Sequence, residues 1–175
     1  MEHRSGPGQW VYQGRTISVR VDPVKVRTIF TSREVVVRVP AVAVIAETHD
    51  AQIVMIKQYR WAVGQWLYEL PAGKVDGTES PLMAAKRELQ EETGYVANEW
   101  RLVRTFYPTP GYSDEKIFLF YARDLTHTQA HLDADEEIDT ELWDTHKIRA
   151  FLESAEDING IALTGLQWWL CKDID

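Results

Sequence analysis

Three glutamates within five residues, Glu88, Glu91 and Glu92, form the densest group of chemically active side chains in the chain. On a helix, Glu88 and Glu92 project from one face because they are four residues apart, and Glu91 lies beside them. Each like-charge pair at such spacing costs about 0.2 to 0.5 kcal/mol on an isolated helix, so the cluster indicates neutralisation by cations. Carboxylate oxygens suit Mg²⁺ or Mn²⁺, which also bind substrate phosphates. Arg87 can pair with Glu91 or reach back to Glu79. A solvated helix face that binds no metal is the alternative interpretation.

The residues around these glutamates follow a pattern of fixed identities and spacings. In chain order, the matching positions are Gly73, Glu79, Arg87-Glu88-Leu89, Glu91-Glu92, Gly94 and Tyr95. This segment resembles the Nudix box, and only Tyr95 is a variant, because the family more often carries an aliphatic residue there. The resemblance implies a hydrolase that depends on divalent metal ions.

The same resemblance assigns roles to individual residues. It implies that Glu88 and Glu92 are metal ligands and that Glu91 is a further or water-mediated ligand. A ligand from the preceding loop is implied at the backbone carbonyl of Ala72. It also implies a salt bridge between Glu79 and Arg87, which braces the loop against the helix.

Segments outside the box indicate the substrate class, which the box itself does not specify. The segments 58–60, 69–73 and 108–115, with Pro110 sixteen residues after Gly94, resemble the ADP-ribose pyrophosphatase branch, and relatives acting on GDP-mannose share much of the pattern. The implied substrate is a nucleoside diphosphate sugar, with ADP-ribose, cut to AMP and ribose 5-phosphate, as the leading candidate. The candidate substrate-binding residues are Arg60, Glu69, Gly111, Ser113, Asp114 and Glu115. An ordinary surface arginine at position 60 and a simple hairpin at 111–115 are the alternatives.

Hydrolysis also needs a group that orients the attacking water and takes its proton. In the ADP-ribose branch this base lies on a late acidic loop, which resembles residues 133–139 here. The register selects Glu136 as the base, with Glu137 as runner-up. If neither serves, Glu91 becomes the candidate. A solvated acidic loop without catalytic function is the alternative.

The catalytic segment requires a helix, and local signals predict one from Pro81 to Thr93. Ser80 is suited to cap its start, and Gly94 is a natural stop. Leu82, Ala85 and Leu89 share a face at helical spacing, as in a helix packed on a sheet.

Alternating and valine-rich segments predict the strands that position this helix. The strands are expected at 16–26, 33–47 (one or two strands), 52–59, 102–106, 116–122 and 141–143, and two terminal helices at 147–155 and 163–171. Pro23 indicates that the end of the 16–26 strand lies at or near a sheet edge. The fold class is α+β, and the resemblance implies a Nudix-type αβα sandwich with a mixed central sheet and an N-terminal antiparallel β segment.

Two regions are expected along the chain, an N-terminal β segment at 1–40 and a Nudix hydrolase domain at 41–175. The segment from Trp10 to Val26 is strand-like and would leave an exposed edge if unpaired, so we expect it at the interface of a homodimer. The resemblance to the ADP-ribose pyrophosphatase branch also implies a homodimer.

Composition narrows the possible partners and location. The formal net charge of −8 argues against nucleic acid, and no stretch approaches the roughly 20 apolar residues that a membrane span needs. Cys171 is the only cysteine, which fits a reducing cytoplasm. Two other function classes are alternatives: a non-catalytic Nudix-fold ligand-sensing module, and RNA decapping or removal of oxidised nucleotides. Sensing modules usually lose the box carboxylates that this chain retains, and the second class needs different flanking segments.

Overall fold

The computed structural model describes residues 1–132, 134 and 137–172. The chain divides into two units, which we call the N-terminal unit and the core unit. The N-terminal unit comprises residues 1–40 and 106–117, and the core unit comprises residues 41–105 and 118–175.

The N-terminal unit contains a four-stranded antiparallel sheet centred on its third strand. The strands are β1 (Glu2–Arg4), β2 (Gln9–Gln13), β3 (Ser18–Val26) and β4 (Ile29–Val37). Along its full length β3 pairs with β4, whereas on its other edge β2 and β1 pair with successive parts of it. The predicted antiparallel N-terminal segment therefore forms, with two further short strands.

Pro23 lies inside β3 and not at a sheet edge, so that prediction was wrong. The carbonyl of Pro23 accepts a hydrogen bond of 2.9 Å from the N–H of Ser5. In a strand the nitrogen and carbonyl of one residue face the same side, so the proline nitrogen faces the edge at which β1 gives way to β2. β2 pairs with residues 18–21 and β1 with residues 24–26. The missing N–H thus falls in the gap between two partners.

The described residues of the core unit form two sheets and three helices. Its elements are β5 (Ala41–Ala46), β6 (Ile53–Arg60), β7 (Gln65–Glu69), β8 (Ala72–Lys74), α1 (Pro81–Thr93), β9 (Tyr95–Phe106), β10 (Ile117–His127), β11 (Ile138–Trp143), α2 (Thr145–Ser154) and α3 (Gly160–Cys171). One sheet has the order β8-β5-β10-β9 and the other has the order β11-β6-β7. The α+β class predicted from the sequence is confirmed.

The central strands β5 and β10 present opposite faces to different helices because side chains alternate along a strand. Val42, Val44 and Ala46 of β5 pack with Phe120 and Ala122 of β10, and α1 covers this face through Ala84, Ala85 and Leu89. On the other face of β5, Ile45 lies against Gly165 of α3. β5 and the first half of β10, up to Ala122, are therefore buried on both sides.

Helix α1 begins and ends where the sequence predicts. The Ser80 hydroxyl accepts a hydrogen bond of 3.3 Å from the N–H of Met83, and Gly94 adopts the left-handed conformation with φ of 72°. A side chain at Gly94 would also approach the backbone nitrogen of Ala130 to 3.0 Å, so glycine is required twice over. Ala85 and Leu89 are buried as expected. Leu82, in the first turn, is 37% exposed, and its predicted place on the buried face was wrong.

Within the described part of the chain, no helix combines the length and the apolar character needed to cross a bilayer.

Candidate active site

Arg87 is the centre of the carboxylate cluster on α1. Its guanidinium donates to Glu79 at 2.8 Å, to Glu88 at 2.8 Å and to Glu91 at 2.9 Å, and also to the carbonyl of Lys74 at 3.0 Å. Both ion pairs considered for Arg87 from the sequence are present, together with the pair to Glu88 and a longer one of 3.8 Å to Asp76. One cation thus bridges the loop before α1 and two carboxylates of the helix.

These contacts shift the pKa values of Glu79 and Arg87, the ion pair that joins the loop to the helix. The pKa of Glu79 lies below its ordinary value, chiefly because its carboxylate accepts hydrogen bonds from Arg87, and secondly because it accepts one from the N–H of Asp76. The pKa of Arg87 is raised, with the hydrogen bond to Glu79 as the largest cause. The pair is therefore fully ionised at neutral pH.

Gly73 is the residue against which the Glu88 carboxylate lies. A Cβ atom added at Gly73 would overlap the carboxyl group of Glu88, far inside any normal contact distance. The backbone of Gly73 is itself fixed by pairing with Val42 in the β5–β8 ladder. Only glycine leaves room for this carboxylate, which gives a physical reason for the first glycine of the box.

Glu92 is held from the same loop. Its side chain is buried, with 4% of the residue exposed, and one carboxylate oxygen accepts a hydrogen bond of 2.9 Å from the N–H of Ala72. A carboxylate this deeply buried requires a compensating charge or several hydrogen bonds. Glu91 differs, because its side chain is 41% exposed and faces solvent more freely.

The arrangement fits a divalent metal ion of the kind that binds oxygen ligands. Three carboxylates, those of Glu88, Glu91 and Glu92, come from one helix, and the Ala72–Gly73 backbone forms a cradle that a Cβ atom would fill. Among the described residues no three acidic or histidine side chains converge closely enough to hold an ion as they stand. The carboxylates are instead bound to Arg87 and to the Ala72 N–H, so metal binding would replace some of these bonds.

The segment that leads into the acidic loop is attached to the end of α1. The N–H of His131 donates to the carbonyl of Glu91 at 2.9 Å, and the N–H of Thr128 donates to the carbonyl of Gly94 at 2.6 Å. Beyond the loop, Ile138 begins β11 in register with Gln58. The described segment up to His131, which precedes the acidic loop, is therefore anchored beside the backbone of Glu91.

Of the two candidate bases, Glu136 lies outside the described residues. Glu137 is described, and it is exposed immediately before β11. The choice between them stays a prediction.

Arg60 and Glu69 form a two-pronged ion pair across the β6–β7 hairpin. The Nε and Nη2 atoms of Arg60 lie 2.7 and 2.6 Å from the two carboxylate oxygens of Glu69, which is only 3% exposed. This geometry fixes the guanidinium plane. The pair also occupies the Nε and Nη2 donors of the Arg60 guanidinium, which was expected to contact substrate.

The other predicted substrate contacts lie in the N-terminal unit. Asp114 accepts a hydrogen bond of 2.9 Å from the N–H of Arg38, and Glu115 forms an ion pair of 3.0 Å with the Arg38 side chain. The Ser113 hydroxyl accepts from the N–H of Glu115 at 3.2 Å, and Gly111 has open space beside it. Asp114 and Glu115 thus hold the loop to Arg38, just after β4, and Ser113 bonds within the loop.

Sequence reasoning missed two structural contributors to this site. The sequence identifies Gly73 as a box position but gives no physical reason for a glycine there. The structure gives the reason, because any side chain at this position would overlap the Glu88 carboxylate. The attachment of His131 to α1 had no local signal, because a backbone hydrogen bond does not depend on residue type.

Comparisons with known proteins agree with this geometry. Residues 37–160 match the NUDIX domain family. The chain is 39% identical over 141 residues to the methanol dehydrogenase activator of Bacillus methanolicus, covering 79% of this chain and 76% of that protein. It is 34% identical over 138 residues to the ADP-ribose pyrophosphatase of Bacillus subtilis, covering 78% and 75%. The crystal structure of an ADP compounds hydrolase has the same fold, with a TM-score of 0.85 at 20% identity over 98% of this chain and 96% of that one.

The family match spans well over half of the chain and includes the α1 carboxylates. The chain therefore belongs to the Nudix family, whose hydrolases need divalent metal ions.

Proposed function

We propose that this chain hydrolyses the pyrophosphate bond of a nucleoside diphosphate sugar, with ADP-ribose cut to AMP and ribose 5-phosphate. The observation that carries the proposal is the carboxylate face of α1, with Glu88 seated against Gly73 and Glu92 held by the Ala72 N–H. A diphosphate is itself anionic, so a carboxylate site that handles it needs bound cations.

The choice of ADP-ribose is supported by the Bacillus subtilis relative that carries the name ADP-ribose pyrophosphatase. GDP-mannose or another nucleoside diphosphate sugar is the alternative. Arg60, Glu69 and the 111–115 loop remain the proposed substrate contacts, and the fixed guanidinium plane of Arg60 suits a phosphate or a base.

In this proposal Glu88 and Glu92 hold Mg²⁺, with Mn²⁺ as the alternative, and Glu91 and the Ala72 carbonyl complete the set. When bound, the ion supplies positive charge for the diphosphate and activates water. Arg87 and Glu79 keep loop and helix at a fixed spacing. Glu136 or Glu137, on the acidic loop, takes the proton of the attacking water.

A phosphate-release assay, coupled to a phosphatase that acts on monophosphate products, tests the proposal. Suitable substrates are ADP-ribose, GDP-mannose, UDP-glucose, diadenosine polyphosphates and 8-oxo-dGTP, each with Mg²⁺, Mn²⁺ or a chelator. We expect release from ADP-ribose that requires both the ion and the phosphatase. Release from none of the diphosphate sugars, with the folded protein, would contradict the proposal.

One observation favours a second candidate, a non-catalytic ligand-sensing module. The Bacillus methanolicus relative is named as an activator of another enzyme. Against this role, Glu79, Glu88, Glu91 and Glu92 are all retained. Binding of ADP-ribose without turnover in the same assay would favour the sensing role.

A homodimer that uses the N-terminal unit is also proposed. Its strands leave large apolar side chains exposed, at 56% for Tyr12, 67% for Ile29 and 69% for Phe30. Light scattering at micromolar concentration should give twice the chain mass, and an active monomer would refute the dimer. A cytoplasmic location stays a prediction.

A further inference from the structure

A cavity of about 590 Å³ lies in the core unit, and none of its described lining residues belongs to α1. Its walls include Glu47, Glu99, Arg101, Tyr121, Arg123 and Lys172. Side chains alternate along β10, and Phe120 and Ala122 face α1, so Tyr121 and Arg123 face the opposite side of the sheet. The volume falls within the range of roughly 300 to 1,000 Å³ typical of small-molecule sites.

The charges around this cavity are mostly positive, in a chain whose net charge is −8. Lys172 is neutralised, because its ammonium group lies 2.5 Å from Glu47 and 2.8 Å from the hydroxyl of Tyr121, which also donates to Glu47. The side chains of Arg101 and Arg123 form no ion pair or hydrogen bond with any other residue that the structure describes. Among the described residues of the wall, Glu99 is the one further acidic group.

Arg101 is positioned by aromatic rings. Its guanidinium carbon lies 5.6 Å from the ring centroid of Tyr121 and 5.1 Å from that of Trp168. Tyr121 is 8% exposed and packs against Trp168 in a T-shaped pair with centroids 5.3 Å apart. Stacking of this kind holds the guanidinium plane but uses none of its five N–H donors, which remain available for oxygen ligands.

We propose that this cavity binds a small molecule through its phosphate group, with Arg101 and Arg123 as the recognition residues. A planar guanidinium with its donors available matches phosphate oxygens in pairs, and prior ordering by the rings lowers the entropy lost on binding. The site lies on the face of the sheet that does not carry α1, so it is distinct from the hydrolytic site. The proposal does not depend on the substrate of that site.

Titration calorimetry with AMP, ribose 5-phosphate and inorganic phosphate tests this site in the full-length protein with Mg²⁺ present. The test variant is Arg101→Met combined with Arg123→Met, because methionine keeps the apolar stem and removes every donor. The matched control is Arg104→Met, which removes an exposed arginine from the same strand whose guanidinium reaches only the neighbouring carbonyl of Val103.

We expect wild type and the Arg104 control to bind at least one of these ligands with a Kd below about 1 mM, and the double variant to bind at least tenfold more weakly. Rising salt should weaken the arginine-dependent binding. Equal affinity for AMP and inorganic phosphate would mean that the phosphate alone is recognised, whereas tighter AMP binding would identify a nucleotide ligand. The proposal is overturned if wild type and the double variant bind all three ligands alike, or if wild type binds none. Should the double variant fail to fold, Arg123→Met alone, at an exposed position, provides the same comparison.

Discussion

Replacing Gly73 by alanine tests the link between the box glycine and the metal site. The backbone of Gly73 is extended and paired with Val42, and alanine can adopt it without strain. The new Cβ atom would, however, occupy the position of the Glu88 carboxylate. Because the backbone is held in the ladder, the side chain of Glu88 must move.

The structure separates the effect on stability from the effect on function. The group displaced is the far end of a flexible side chain. The free energy of unfolding should therefore fall by about 1 kcal/mol, the low end of the range for overpacked cores. Displacing a metal ligand from its preferred position should cost about 10- to 100-fold in metal affinity or turnover, or about 1.4 to 2.7 kcal/mol. The functional loss should therefore exceed the stability loss.

Two measurements check this prediction: turnover of ADP-ribose as a function of Mg²⁺ concentration, and urea unfolding. Gly160→Ala is the matched control, since an added Cβ there meets nothing within 4 Å. If Gly73→Ala shows the Mg²⁺ dependence and turnover of wild type, Glu88 does not need its observed position, and its assignment to the metal site is wrong.

The remaining predictions concern single carboxylates. Glu92→Gln should lower turnover by orders of magnitude with the fold intact, because charge is lost without volume; near-normal turnover in saturating Mg²⁺, with circular dichroism unchanged, would remove Glu92 from the metal set. Glu136→Gln should lower kcat by about 10²- to 10⁴-fold with little change in substrate binding, with Glu137→Gln as the control. If only the Glu137 variant is impaired, the loop register is off by one, and if both stay active, the loop does not supply the base. The pKa of Glu141 is lowered chiefly by its ion pair with Lys147, so the stability that this ionised carboxylate contributes should be complete above its ordinary pKa of 4.5 and be lost as pH falls through the lowered value. Urea unfolding of wild type and Glu141→Gln at several pH values should show the difference narrowing below 4.5, and a gap that widens on acidification would contradict the assigned direction.

Elements with strong local signals could be predicted from the sequence. Helix α1 has a capping serine, a proline in its first turn and a terminal glycine, and its bounds match the prediction. β8 (Ala72–Lys74) could not be predicted, because alanine, glycine and lysine have little strand propensity and the segment is extended by pairing with β5. β7 (Gln65–Glu69) was missed, and β9 extends to Tyr95, well before the predicted start at residue 102.

The features of the site likewise divide into those that a local sequence pattern predicts and those that depend on tertiary packing. Helical spacing alone places Glu88, Glu91 and Glu92 on one side of α1, because residues three or four apart project from the same side of a helix. The contact of Arg87 with the adjacent Glu88 was not expected, since neighbours on a helix do not face each other, and only the length of the arginine allows it. The close approach of Glu88 to Gly73 depends on how β8 packs against α1, which no local pattern encodes.

The central claim is that the chain cleaves the diphosphate of ADP-ribose with a divalent ion, and ³¹P NMR of ADP-ribose incubated with the purified protein tests it most directly. With Mg²⁺ present, the paired diphosphate signals should be replaced by two monophosphate signals, those of AMP and ribose 5-phosphate, and a chelator should prevent the change. Persistence of the diphosphate signals with folded protein and excess Mg²⁺ or Mn²⁺ would contradict the claim.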